Sequence, residues 1–260
     1  MALTDSLLTP GSRNNLQQIR DWFTSPLGEE LLQTESAILE QLLGGLFGYH
    51  LLQISVLQQE LFEASPIQHK VTLGLTEQDR SPFLAQPTKL PLENDGIDVV
   101  LVHHMLDFVD SPQEALRELS RVVRPSGHLV IVGFNPFSLC GLWKLIARWR
   151  KLPPWNGLFI QPTRLMDWMN LLDFKIDRAQ YCTYGLPLVR GDVGKPDFSK
   201  GLSRNTNFPV GAVYVIVARK QVGGMTPIRP VWKSHRAFGQ LSIVRSASRS
   251  VLSRNGTSQD

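Results

Sequence analysis

The chain has 260 residues, 42% apolar and 19% charged, an ordinary globular balance that is long enough for one α/β domain with extensions, and no apolar run approaches the roughly 18–20 residues that span a bilayer. Its net charge of +4 belongs to the end of the chain: residues 221–260 carry six basic side chains and one acid, so the remainder is close to neutral and the high isoelectric point implies no basic groove on a folded domain. The two cysteines, Cys140 and Cys182, form no C-x-x-C and have no His/Cys cluster around them, which argues against a disulfide framework or a zinc–cysteine site and makes a reducing cytoplasm the default.

The start, MALTDSLLTPGSRNN, has no basic segment leading into an apolar one, so no signal peptide is expected. Leu16, Ile19, Trp22 and Phe23 suggest a short amphipathic helix. A longer one is predicted over 25–43. Ser25 is placed to cap it, and Pro26 sits at the first helical position, where its missing N–H costs nothing. Leu27, Leu31, Ile38 and Leu42 form its apolar stripe, and Gly44-Gly45 ends it.

The segment Leu51-Leu52-Gln53-Ile54 then opens an α/β domain as its first strand. HKVTLG (69–74) is a second strand, and the Pro-, Gln- and Asp-rich stretch 75–96 reads as loop. GIDVVLV (96–102) is a near-continuous apolar run, as expected for a strand covered on both faces of a parallel sheet. SPQE (111–114) has the form of a capping box, with Ser111 as cap and Glu114 reaching back. Leu116, Leu119 and Val123 share one face of the helix that follows. RPSG (124–127) reads as a turn and HLVIVGF (128–134) as a buried strand. Helical spacing returns at 137–150 and 163–174, and strands are predicted at 174–181 and 210–218.

Strands alternating with helices make a doubly wound α/β sheet, in which ligands sit beyond the carboxyl ends of the strands. That rule selects the residues after Ile54, after Val102 and after Phe134. The expected organisation is a helical leader (1–47), an α/β domain (48–220) and a basic, disordered tail (221–260). Binding of nucleic acid or an anionic surface through that tail is the alternative to a merely solvated segment. KLIARWRK (144–151) has the same two readings, an anionic membrane surface or a solvated helix face.

The block DGIDVVLVHHMLDFVDSPQEALRELSRVVRPSGHLVIVGFNP (95–136) resembles class I S-adenosylmethionine-dependent methyltransferases of the type 11, small-molecule kind. The residues that match are Asp98, His103, Asp110, Pro112, Leu116, Glu118, Arg121, Pro125 and Gly127. AQPTKLPL (85–92) is similar to the family's adenine-side loop, and a looser likeness runs over roughly 20–218. The resemblance implies a seven-stranded, mostly parallel sheet with an antiparallel last strand. It further implies an S-adenosylmethionine bed formed by the loop after strand one, an acid after strand two and the adenine-side loop.

Carried onto this chain, the resemblance makes Gln53, Ile54, Ser55, Gln86, Pro87, His103 and His104 the expected cofactor contacts. The family's glycine-rich loop is here Gln53-Ile54-Ser55-Val56-Leu57, a degenerate form. Ser55 is small enough for close approach, whereas Val56 and Leu57 are unnatural at positive φ. No carboxylate stands in the usual place after HKVTLG, and Glu77 and Asp79 are shifted along the chain. Gln86 replaces the family's adenine-side Asp, and its amide can still both accept and donate.

His103 and His104 lie at the ligand-binding sheet edge. One reading makes them contacts of the methionine part of the cofactor or a base; in the other, one packs against the next helix and one is solvated. Two adjacent histidines make a metal site only with a third ligand converging from elsewhere, so no metal is expected. His50, at the opposite edge, reads as structural. Asn135 either meets the substrate or terminates the strand. The tryptophans sit mostly at helical spacing and read as core. Methyl transfer asks mainly for alignment and desolvation, so no catalytic dyad is required. The function expected is methyl transfer to a small molecule; a non-catalytic binding or scaffold protein that has lost the cofactor is the alternative.

Overall fold

The computed structural model describes residues 9–138, 157–182 and 211–222. Two helices come first, α1 (Pro10–Phe23) and α2 (Pro26–Leu43). Each starts on a hydroxyl cap followed by proline: Thr9 accepts from the Ser12 N–H and Ser25 from the Gly28 N–H. This leaves few unpaired N–H groups at either start. The helices form a tight hairpin. A Cβ on Gly28 would run into the Trp22 carbonyl and the Phe23 Cα, so only glycine allows this approach.

The sheet has seven strands: β1 (His50–Ser55), β2 (His69–Gly74), β3 (Phe83–Leu84), β4 (Ile97–His103), β5 (Val123–Phe134), β6 (Phe174–Cys182) and β7 (Val213–Lys220). Their order is β3-β2-β1-β4-β5-β7-β6. All neighbours from β3 to β5 pair in parallel, and β7 runs antiparallel between β5 and β6. The strand pattern and the late-strand edge expected from the sequence are both present. A short helix, α3 (Met105–Phe108), follows β4; α4 (Pro112–Val122) leads into β5; α5 (Pro162–Leu171) leads into β6.

β1 and β4 lie at the centre of the sheet and are buried on both faces, with Leu51, Leu52, Ile54, Val99, Val100, Leu101 and Val102 in the core. This is the physical basis of their uninterrupted apolar runs. On one side the core extends to Ile19, Ile38, Leu39 and Leu43 of the leader helices, and elsewhere to Leu116 and Leu119 of α4 and Leu165 and Met169 of α5.

Three local expectations are corrected. Ser111 stands at the N-cap position of α4 but makes no side-chain cap, so the capping box does not form. Its neighbour Asp110 instead accepts hydrogen bonds from the Thr9 and Ser12 hydroxyls, which ties this loop to the start of α1. Residues 124–127 are not a turn between elements but the irregular beginning of β5, with a register shift against β4 and Ser126 at φ 66°. The stretch 75–96 is not wholly loop, since it contributes β3. The helix expected at 137–150 lies almost wholly outside the described residues, as does the basic tail beyond Val222.

Several residues of the 95–136 block have structural work. The Asp98 carboxylate accepts from the Tyr49 and His50 N–H groups and from Arg124, pinning the starts of β1, β4 and β5 together. Burial alone would raise its pKa; these donors outweigh it and lower it. Arg121 donates to the Leu90 and Leu92 carbonyls and to Glu118, and Glu118 accepts the Leu90 N–H. The pair clamps the loop that follows Gln86 and Pro87.

Candidate functional site

Parallel pairing sets Ser55 opposite His103, the last residues of β1 and β4. The carboxyl edge of the sheet is therefore built from these two side chains outward. The Ser55 hydroxyl lies 3.0 Å from His103 Nδ1 and accepts the Leu57 N–H. In a continuing strand His104 would point to the opposite face from His103. Instead its backbone turns left-handed, at φ 54°, and the two imidazoles meet edge to face with ring centres 4.6 Å apart.

Both histidines face Glu35 on α2. His103 Nε2 is 3.0 Å from one carboxylate oxygen and His104 Nε2 2.8 Å from the other. His104 Nδ1 lies 3.4 Å from Asp107, whose carboxylate also accepts the Phe134 N–H. Glu35, His103 and His104 are each wholly buried. Phe134 stacks on His104 at 4.0 Å, and Phe23 of α1 packs against both imidazoles. The expected division into one packed and one solvated histidine is thus corrected: α2 covers both.

The charge pattern follows from this geometry. Burial would raise the Glu35 pKa, but His104 and His103 outweigh it and hold it at about 2. Burial would lower His104, but Glu35 and Asp107 outweigh it and raise it to about 9. Burial dominates at His103 and lowers its pKa. His104 is therefore the charged imidazole of the pair, and His103 the neutral one.

The sequence did not single out Glu35, although a signal was present. It falls on the apolar stripe of α2, between Leu31 and Ile38, and a carboxylate on a buried helix face needs a partner.

The loop after β1 is built without a left-handed backbone at Val56 or Leu57. Val56 is wholly buried and Leu57 half-buried. Gln53 is turned inward, its amide donating to the Gln59 carbonyl and accepting the Leu61 N–H; Ile54 is core. The acid that the sequence places too far along the chain is folded back to the end of β2. Asp79 accepts the N–H groups of Leu75 and Thr76, the residues directly after Gly74. Arg20 of α1 binds the same carboxylate at 2.8 Å, while its Nε donates to the Val56 carbonyl. Burial would raise the Asp79 pKa; Arg20 and the two backbone donors outweigh it and lower it.

Gln86 is half-buried in a tight turn closed by its carbonyl and the Lys89 N–H, with Pro87 buried beside it. Ser55, His103, His104, Glu35 and Asp107 thus form one connected cluster, with Arg20 and Asp79 a second linkage at the neighbouring strand end. Asn135 braces the strand end: its amide donates to the Gly211 carbonyl and accepts the Phe137 N–H. His50 contacts His69 at the other end of the sheet. Among the described residues no helix is long and apolar enough to cross a membrane.

Comparison with known proteins agrees with this architecture. Residues 57–131 match a family model described as a methyltransferase domain. The uncharacterized protein YafS of Escherichia coli (strain K12) is 34% identical over 186 residues, spanning 70% of this chain and 72% of that protein. Among solved structures, a SAM-dependent methyltransferase from Thermotoga maritima, described as a possible histamine N-methyltransferase, superposes with a TM-score of 0.56 at 20% identity, covering 78% of this chain and 99% of that one. A SAM-dependent methyltransferase from Archaeoglobus fulgidus gives a TM-score of 0.51 at 18% identity, covering 74% and 94%. Its sheet order and its methyltransferase-domain segment make the chain a class I methyltransferase-fold protein, and it belongs to one family with its relative in Escherichia coli.

Proposed function

We propose that the protein is an S-adenosylmethionine-dependent methyltransferase acting on a small molecule. The observation that carries this reading is Asp79: its carboxylate is held at the carboxyl end of β2, beside the loop after β1. A ribose diol needs such an acceptor, and the amide of the half-buried Gln86 suits an adenine edge. These two residues fit the nucleoside part of the cofactor. The bound cofactor would supply a methyl group already activated on a sulfonium. The chain's own work is then to bind, align and exclude water. Phe23, Phe134 and the buried ends of β1 and β4 exclude water in the arrangement described. His104, held charged, is no base; His103 is the neutral imidazole beside Ser55.

In this arrangement Arg20 occupies Asp79 and the Val56 carbonyl. Holding the ribose therefore requires α1 to release that bridge. The same observation, with the burial of Val56, favours a second reading: a non-catalytic binding or scaffold protein on the methyltransferase fold. Isothermal titration of the full chain with S-adenosylmethionine and S-adenosylhomocysteine separates the two. Methyl transfer predicts saturable binding that Asp79→Asn weakens and Arg20→Ala strengthens. No binding of either compound at millimolar ligand, by the native chain or by Arg20→Ala, would establish the second reading.

A further inference from the structure

We infer that Glu35, His103 Nε2 and His104 Nε2 form a binding site for one divalent metal ion of the zinc class, beneath α2 at the carboxyl ends of β1 and β4. Two adjacent histidines lack the third, converging ligand that a metal site requires. The fold brings that ligand from α2, 68 residues before His103 in the chain. One ligand atom from each of the three side chains lies within 4.8 Å of the others, and three protein ligands with a fourth position left for water are the donor count of an open zinc site.

Three further features favour a cation here over a simple buried ion pair. First, each imidazole directs Nε2 at Glu35 while its Nδ1 is held, at His103 by the Ser55 hydroxyl 3.0 Å away and at His104 by the Asp107 carboxylate 3.4 Å away. That outer ring of acceptors is what fixes the tautomer and orientation of metal-bound histidines.

Second, Glu35 and Asp107 are both buried beside the two imidazoles, and Asp107 carries a buried oxygen, Oδ1, with no hydrogen-bond partner, an open acceptor of the kind that a bound ion accounts for.

Third, His104 reaches the cluster only through a left-handed backbone, φ 54°. That conformation is uncommon for a residue with a side chain, and here it serves to bring two successive rings to one carboxylate. Imidazole nitrogens with one carboxylate oxygen are a donor set for Zn²⁺, and Co²⁺ is its spectroscopic substitute. Nothing in this assignment depends on methyl transfer.

The test uses the full-length chain, stripped with chelator and dialysed against Zn²⁺, both in the native state and during refolding, because the ligands are enclosed by α1 and α2. Elemental analysis should find about one equivalent of zinc per chain, and Co²⁺ should give the intense visible bands of a four-coordinate site. Glu35→Gln should abolish the bands. Ser55→Ala, which keeps all three ligands and removes only an outer acceptor, should weaken affinity by about tenfold or more; it serves if Glu35→Gln does not fold. His50→Ala, in the histidine pair at the far end of the sheet, should change nothing. Absence of stoichiometric uptake by a folded wild-type chain under both loading conditions overturns the assignment. So does uptake that is undiminished in both Glu35→Gln and Ser55→Ala.

Discussion

Replacing Glu35 by glutamine in the metal-free chain removes the charge that both buried histidines face. His104 is then left buried with only Asp107 for compensation. Breaking a buried charged pair by removing one partner costs about 3–5 kcal/mol. At about 2–4 °C per kcal/mol for a chain of this size, the midpoint of thermal unfolding should fall by roughly 10 °C. The loss should also depend on pH. The folded-state pKa of Glu35 lies below its usual 4.5, at about 2, so its contribution is complete above 4.5 and lost as pH falls through 2. The folded-state pKa of His104 lies above its usual 6.5, at about 9, so its contribution is complete below 6.5 and lost as pH rises through 9. The native and variant curves should therefore differ most between 4.5 and 6.5 and converge above 9. Circular dichroism melts in chelator across this range measure the difference. A penalty equal at about pH 6 and about pH 10, or smaller than about 2 °C throughout, would refute the charge-pair account.

Three other substitutions probe the rest of the architecture. Arg20→Ala removes charge-assisted bonds to Asp79 and should cost about 1.5–3 kcal/mol in urea unfolding at neutral pH. Because the Asp79 pKa is lowered from its usual 3.8, that penalty should fade as pH drops below this value, and a constant penalty in acid would contradict it. Gly133→Ala places a methyl group against the ring and hydroxyl of Tyr214; the expected loss is about 1–3 kcal/mol, partly recovered in a Tyr214→Phe background. Leu101→Ala in the fully buried centre of β4 should cost about 2–5 kcal/mol by the same measurement.

The strands and helices were legible because each central strand is an apolar run bounded by turn residues, the first leader helix shows apolar residues at helical spacing, and the second begins on a hydroxyl followed by proline. The capping box at Ser111 misled because its neighbour Asp110 is held by the Thr9 and Ser12 hydroxyls near the start of α1, a contact between segments about 100 residues apart. Asp79 looked displaced when its distance along the chain was compared with the usual acid. A turn returns its carboxylate to the two N–H groups that follow β2, and spacing in sequence does not report that return.

By itself the sequence determined the strands and the parallel centre of the sheet, since periodicity and apolar run length report how many faces of an element are buried; the antiparallel last strand followed only from the family resemblance. It also marked His103 and His104 as lying at the carboxyl edge of the sheet. Only the tertiary structure decided what those histidines meet. Glu35 rides on the buried stripe of α2, Arg20 reaches across from α1, and the left-handed turn at His104 aims two successive rings at one carboxylate. Hydrophobic pattern is a property of one segment, whereas the pairing of buried charges depends on which segments the fold packs together.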